Sequence, residues 1–173
     1  LILPRLLDSV SDRAAILAGA SIPTAATFAA AAIPSYGWLL LLWFVIGAGY
    51  SMSQTPSGRL LRRSSRAEDR PALFAAQFAL SHGCWLVTYA LAGWAGAAFG
   101  LQAPALILAA IAASAVAAAA WLWPAADPEI VEHSHDGLPG SHPHWGEGSV
   151  AGRNSHAHAF VIDDLHGTWP HAR

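Results

Sequence analysis

Closely spaced histidines near the end of the chain are the residues whose types and spacing most clearly suggest chemistry. Eight of the nine histidines follow residue 124, and six of these eight form three His-x-His pairs. In an extended chain, side chains at positions i and i+2 point the same way, so both imidazoles of a pair can reach one metal ion. The candidate metal ligands are His133, His135, His142, His144, His156 and His158.

The segment that carries these histidines, residues 125–173, is predicted to be a largely irregular tail, because its prolines and glycines disfavour a helix. Imidazole is a suitable ligand for Ni²⁺, Co²⁺ and Zn²⁺, and Glu132 or Asp136 could add an oxygen ligand. We therefore expect no required cofactor, with Ni, Co or Zn as the candidate ligand of the tail. A disordered tail that binds nothing is the alternative. For the stretch 160–169, docking onto the helices and disorder are equally expected.

His82 is a second candidate for chemistry, because no other side chain in the long apolar part of the sequence titrates near neutral pH. An ionisable group at membrane depth is costly, which makes a function a natural explanation. On a helical wheel it lies beside other polar side chains that could line a cavity with it. The candidate lining residues are Gln77, Ser81, His82, Thr88 and Tyr89. A neutral histidine that hydrogen-bonds to an adjacent helix for packing is an equal alternative.

Two long stretches without charged residues form most of the chain before the tail. The chain is 54% hydrophobic and only 12% charged, and residues 14–58 and 71–126 contain no Asp, Glu, Lys or Arg. Each run divides at a turn-forming segment, and a helix needs roughly 20 apolar residues to cross a bilayer. We predict an all-α, polytopic transmembrane helix bundle with four spans, at about 14–33, 38–57, 71–98 and 103–123. Buried helices of a soluble protein are the alternative, and the net charge of −2 gives no case for nucleic-acid binding.

The arginines predict the orientation of these helices, since basic residues in short loops stay on the cytoplasmic side. Five arginines lie in residues 59–70, between the second and third spans, and Arg5 and Arg13 lie in the opening segment 1–13. The two turns inside the apolar runs contain no basic residue. The opening segment, the arginine-rich loop and the tail are therefore expected to be cytoplasmic, in a multi-pass protein of the inner (plasma) membrane.

This order of basic segments and apolar hairpins over residues 4–124 resembles the C-terminal part of the major facilitator superfamily. Members of the superfamily carry a cytoplasmic signature, G-x-x-x-D-R-x-G-R-R, to which Asp8 and Arg13 correspond within residues 4–13. The resemblance implies that Asp8 and Arg13 take part in gating. It also implies that the N-terminal half of the same protein, which would precede this chain, completes the bundle.

The same resemblance implies a function, that of a secondary active transporter and not an enzyme. We expect an exporter that is coupled to the proton gradient and moves a small molecule or metal ion across the lipid bilayer. The polar residues around His82 would then belong to the transport pathway. Because the histidine-rich tail is similar to that of nickel-resistance exporters, Ni, Co and Zn are candidate substrates. A membrane-anchored metal-binding or sensory protein without transport activity is the alternative.

Overall fold

Four helices and a small β-sheet form the structure, a computed structural model that describes residues 10–32, 35–135, 137–139, 141–150 and 155–169. The helices are α1 (Asp12–Ala30), α2 (Tyr36–Arg63), α3 (Arg70–Phe99) and α4 (Gln102–Leu122). The strands are β1 (Ile130–Ser134), β2 (Ser149–Val150) and β3 (Ser155–Ala159), with a short 3-10 turn at Pro143–Gly146 before β2. Asp8, one of the two predicted gating residues, lies outside the described residues.

The helices follow from the apolar runs and from local end signals. The Ser11 hydroxyl caps the start of α1 by accepting the N–H of Ala14 at 3.3 Å. Gly100, at a φ of 85°, ends α3 in a conformation that residues with a Cβ rarely adopt. Among the described residues, α2 and α4 are long and apolar enough to cross a membrane. Length and composition therefore support two of the four predicted spans.

The second helix is longer than predicted, because it continues through the first arginines of the expected loop and ends at Arg63. The connection to α3 is thereby reduced to residues 64–69. Arginine is a good helix former, and positive charge in a last turn interacts favourably with the carbonyl end of the helix dipole. The basic residues thus extend α2 instead of ending it.

Small residues allow α1 and α2 to pack closely. A Cβ added at Gly19 would lie 2.6 Å from the backbone nitrogen of Ser53 and 2.9 Å from the carbonyl oxygen of Gly49. The helix α1 also packs against α4, which in turn packs against α3. Large apolar side chains such as Trp43 and Leu86 point outward and are 74% exposed. The described helices therefore meet through small residues and leave their bulky apolar surface for lipid or for further helices.

The tail contains a three-stranded antiparallel sheet in the order β1-β3-β2, which the predicted all-α fold with a largely irregular tail did not include. The register places His133 opposite His156 and Val131 opposite His158. A Cβ at Gly148 would collide with the carbonyl oxygen of Ala157, so a glycine there lets the chain approach β3. The prolines and glycines exclude a long helix, as expected, but they lie between the strands and do not prevent pairing.

The tail is docked onto the end of α2. The N–H of Ile162 donates to the carbonyl oxygen of Arg63 at 2.9 Å, and the Arg63 guanidinium lies 5.2 Å from the ring centre of Trp169. The same guanidinium is paired with the Asp127 carboxylate at 2.6 Å, which also accepts the indole N–H of Trp123 at 2.9 Å. Of the two expectations for the stretch 160–169, docking is the one that the structure shows.

Candidate metal centre

Five histidines of the tail direct a ring nitrogen toward one point. The Nε2 atom of His133 lies 3.1 Å from that of His156 and 2.9 Å from that of His166, and the Nε2 atoms of His135 and His144 are 3.1 Å apart. One ligand atom of each of the five lies within 4.8 Å of those of the other four. We call this group the five-histidine cluster.

Separate elements of the tail position these side chains. His133 on β1 and His156 on β3 face each other because they are directly opposite in the strand register. His135 follows β1, His144 lies on the 3-10 turn, and His166 lies on the loop after β3. His156 is fully buried, and His144 and His166 are only 5% exposed. The cluster therefore lies inside the folded tail and not on its surface.

In three of these histidines, the ring nitrogen that points away from the cluster, Nδ1, is hydrogen-bonded to an oxygen acceptor. The Nδ1–H of His133 donates to the carbonyl oxygen of Val131 at 3.0 Å, and the Nδ1–H of His166 donates to the Asp163 carboxylate at 2.8 Å. His144 makes the corresponding bond to a carboxylate at 3.1 Å. Since a neutral imidazole carries one proton, the Nε2 atoms of these rings present lone pairs to the cluster.

The close contact between His133 and His166 therefore lacks a hydrogen-bond donor when both rings are neutral. Both Nδ1 atoms donate to oxygen, so two Nε2 lone pairs face each other at 2.9 Å without a proton to share. A cation between the two nitrogens resolves this repulsion. Metal-bound histidines commonly donate their other ring N–H to a carboxylate or a backbone carbonyl, which is the arrangement of these two side chains.

Burial favours the neutral form, which a metal requires, in four of the five histidines of the cluster. Desolvation lowers the pKa of His133, His135 and His166, and the neighbouring imidazoles lower it further. The bonds to Val131 and Asp163 act in the opposite direction without reversing the shift. Burial and the same neighbours lower the pKa of His156 to about 4. Near neutral pH, a metal ion therefore faces little competition from protons at these nitrogens.

The donor set indicates which ions fit. Within the described residues, all five donors of the cluster are imidazole nitrogens. Imidazole suits divalent transition metals, whereas Mg²⁺ and Ca²⁺ prefer oxygen ligands. Of the two predicted oxygen donors, Glu132 is exposed and outside the cluster, and Asp136 lies outside the described residues.

The structure brings together four of the six predicted ligands, namely His133, His135, His144 and His156. His142 is not among them, and its Nδ1 instead accepts the backbone N–H of His144 at 3.3 Å. His158 belongs to an adjacent group with His144 and Glu147.

His166 is a ligand that the sequence pattern did not predict, because it lies outside any His-x-His pair. The available signal was Asp163, three residues earlier, whose carboxylate orients the ring of His166. That a metal binds to this cluster stays a prediction.

The predicted lining residues all lie on α3. Gln77, Ser81 and Thr88 are half-buried, while His82 and Tyr89 are exposed on the surface of this chain. The Nδ1–H of His82 donates to the carbonyl oxygen of Phe78 at 2.8 Å in its own helix, and its ring stacks on that of Phe78. The expected alternative, a packing bond from His82 to an adjacent helix, is not found among the described residues. That these side chains line a transport pathway stays a prediction.

Arg13, the described member of the predicted gating pair, lies at the end of α4. Its guanidinium donates to the carbonyl oxygens of Ala120 and Trp123 at 2.8 and 3.1 Å. A cation in this position satisfies carbonyl groups that have no partner inside the helix. The nearby Asp12 is buried and paired with Arg59. In this chain, Arg13 thus ties the start of α1 to the end of α4.

These features define a class of protein: a helical membrane protein whose extramembrane tail gathers histidines into a buried cluster. A family model described as Major Facilitator Superfamily matches residues 1–160. The chain belongs to this superfamily of membrane transporters, and the match includes the tail sheet as well as the helices. No curated protein and no solved structure matches the chain.

Proposed function

We propose that the protein exports divalent transition-metal ions, with Ni²⁺, Co²⁺ and Zn²⁺ as candidate substrates, across the inner (plasma) membrane at the expense of the proton gradient. The tail captures the ion on the cytoplasmic side and the helix bundle moves it outward. The observation that carries this proposal is the close approach of the Nε2 atoms of His133 and His166, 2.9 Å apart within the five-histidine cluster. The superfamily supplies the transport activity, and the cluster supplies the reason to expect a metal.

The position of the cluster supports a role in capture. The tail docks beside the arginine-rich end of α2, which the distribution of basic residues predicts to be cytoplasmic. A cavity of about 1010 Å³ lies between the tail and the ends of α2 and α4, with His133, Arg63 and Trp123 on its wall. An ion held by His133 would thus be close to the cytoplasmic ends of the helices.

The number of donors in the cluster favours an ion with more than four ligands. Tetrahedral zinc with bonds of about 2.0–2.1 Å separates its ligand nitrogens by about 3.3–3.4 Å, whereas right-angle ligand pairs at that bond length are about 2.8–3.0 Å apart. Of the three separations between Nε2 atoms, 2.9, 3.1 and 3.1 Å, the first equals a right-angle value and the other two lie between the two ranges. Because five imidazoles exceed the four ligands of a tetrahedral zinc site, octahedral Ni²⁺ or Co²⁺ suits the cluster better than tetrahedral Zn²⁺.

The test is metal accumulation in cells that produce the full-length protein. We expect cells with the unmodified protein to contain less nickel or cobalt than cells without it, and His156→Asn to raise that content. The matched control is His142→Asn, since His142 lies outside the cluster and asparagine keeps an acceptor at the start of the 3-10 turn. Its effect should be negligible.

Unchanged nickel, cobalt and zinc content in every strain would refute export of these ions. If the purified protein then still bound nickel through the cluster, the membrane-anchored metal-binding or sensory alternative would replace the exporter. A proton-coupled mechanism also predicts that collapsing the proton gradient abolishes the difference between strains. The role of the lining residues near His82 is tested by the same assay with His82→Gln, which should impair export and leave metal binding intact.

A further inference from the structure

A second group of metal-binding side chains adjoins the five-histidine cluster and shares one residue with it. Ligand atoms of His144, Glu147 and His158 lie within 4.8 Å of one another. The two nitrogens of His144 face different groups: Nε2 lies 3.1 Å from the Nε2 of His135, and Nδ1 lies 3.1 Å from the carboxylate of Glu147. The ring of His144 therefore stands between the cluster and this second group.

His158 presents the feature that a single-metal site leaves unexplained. Its Nδ1–H donates to the carbonyl oxygen of Ala159 at 2.8 Å, so its Nε2 carries a lone pair. This Nε2 is buried and has no hydrogen-bond partner in the part of the chain that the structure describes. A buried acceptor without a partner costs free energy, and an adjacent metal ion would satisfy it.

We propose that the tail binds two divalent transition-metal ions and that His144 bridges them, with Nε2 on the ion of the five-histidine cluster and Nδ1 on the second ion. Glu147 and His158 complete the protein ligands of the second ion. This inference rests on the proposed five-histidine site. When the second ion binds, the Nδ1–H bond of His144 breaks, its proton passes to solvent, and the lone pair left on Nδ1 forms the new bond to the metal.

The two positions differ in access to water. The side chain of Glu147 is 65% exposed, whereas His144 is buried. The second ion would have three protein ligands and would complete its coordination with water. It is therefore the position at which ions enter and leave more readily, and it binds after the cluster. Its carboxylate ligand also compensates part of the charge that two divalent ions bring together.

The test uses Cu²⁺ as the probe, because it binds nitrogen ligands most tightly among these ions and has an unpaired electron. The metal-free, full-length protein in detergent is titrated, freed of excess copper, and analysed for bound copper and by electron paramagnetic resonance. We expect two copper ions per chain. The signal of the first should largely disappear as the second binds, because a bridging imidazolate couples the two spins antiferromagnetically.

Glu147→Gln and His158→Gln should each reduce the copper content from two ions to one and restore the signal of an isolated ion. The remaining ion reports that the cluster is still folded in the variant. His142→Asn, outside both groups, should keep two coupled ions. One ion per chain in the unmodified protein would overturn the second site while the five-histidine site stands, and no bound copper would overturn both.

Two further results would also contradict the inference. Two ions with independent signals would overturn the bridge by His144. Two ions that persist in both variants would show that the second ion binds elsewhere.

Discussion

Replacing Asp163 by asparagine should weaken metal binding although the residue is not itself a ligand. Its Oδ1 accepts the Nδ1–H of His166 at 2.8 Å and also the backbone N–H groups of Leu165 and His166 at 2.9 and 2.8 Å. Burial raises the pKa of Asp163, but the bonds from His166 and Leu165 outweigh it and lower the pKa overall. The carboxylate is therefore charged at neutral pH. Asparagine keeps an oxygen for the backbone bonds and removes only the charge.

The size of the effect follows from the exposure of this carboxylate. Removing a carboxylate that orients a ligating histidine typically costs 10–100-fold in metal affinity, or about 1.4 to 2.8 kcal/mol. Half of the Asp163 side chain is exposed to solvent, so we expect the lower end, about tenfold. The assay is a competition of Ni²⁺ between the full-length protein in detergent and a chelating dye.

The matched control is Asp164→Asn, which removes the same charge from an exposed neighbour. We expect that variant to bind nickel within twofold of the unmodified protein. An equal loss in both variants would mean that net charge matters and that the position of the charge beside His166 does not. An unchanged affinity in Asp163→Asn would refute the contribution of the Asp163 charge to metal binding.

Three other perturbations test the fold around the cluster. Arg63→Ala should weaken docking of the tail by about 2 kcal/mol, because it breaks the largely buried ion pair with Asp127. Hydrogen exchange in residues 155–166 should then become faster, whereas Arg62→Ala should leave it unchanged. Without metal, acid should destabilise the folded tail. Because the pKa of His156 is about 4 in the folded state and near 6.5 when unfolded, the unfolded tail binds more protons between these values. The free energy of unfolding should therefore decrease as the pH falls below 6.5, and the full loss of about 3 kcal/mol is reached below pH 4. Hydrogen exchange at pH 7 and at pH 5, corrected for the intrinsic exchange rate, will measure this decrease. Gly19→Ala should lower the free energy of unfolding of the helices in detergent by about 1–3 kcal/mol, because the added methyl group would collide with α2. Gly47→Ala, whose methyl group would lie in open space, should leave it unchanged.

The helical part of the fold could be read from the sequence because its signals are local. Long uncharged runs and the turn at Gly100 identify the helices without knowledge of the tertiary structure. The end of α2 was harder to predict, since the arginines that predict a cytoplasmic segment also have a high helix propensity. Charge pattern indicates which side of a membrane a residue faces, but it does not indicate whether the backbone there remains helical.

The tail shows why part of the site could not be predicted. The His-x-His pairs include four of the five ligands of the cluster, but only His133 and His135 contribute as a pair, and His144 lies on a 3-10 turn and not on an extended chain. The spacing contains no information on pairing between β1 and β3, which are separated by some twenty residues and meet only in the folded tail. His166 contacts His133 across 33 positions in the sequence, and its membership in the cluster depends on the loop after β3. Spacing predicts local pairs of ligands, whereas the fifth ligand depends on long-range pairing of the chain.

One loop connects the cluster to the helices, and this couples metal binding to docking of the tail. In the loop after β3, His166 is a member of the cluster and is hydrogen-bonded to Asp163. In the same loop, Ile162 and Trp169 contact Arg63 at the end of α2. An ion bound to His133 and His166 would fix the loop that makes these contacts. A ligand that binds only the folded tail stabilises it by about 2.7 kcal/mol at a concentration 100 times its dissociation constant. That free energy is comparable to the expected contribution of the Arg63 ion pair, so a metal ion bound to the cluster would strengthen docking of the tail against the end of α2.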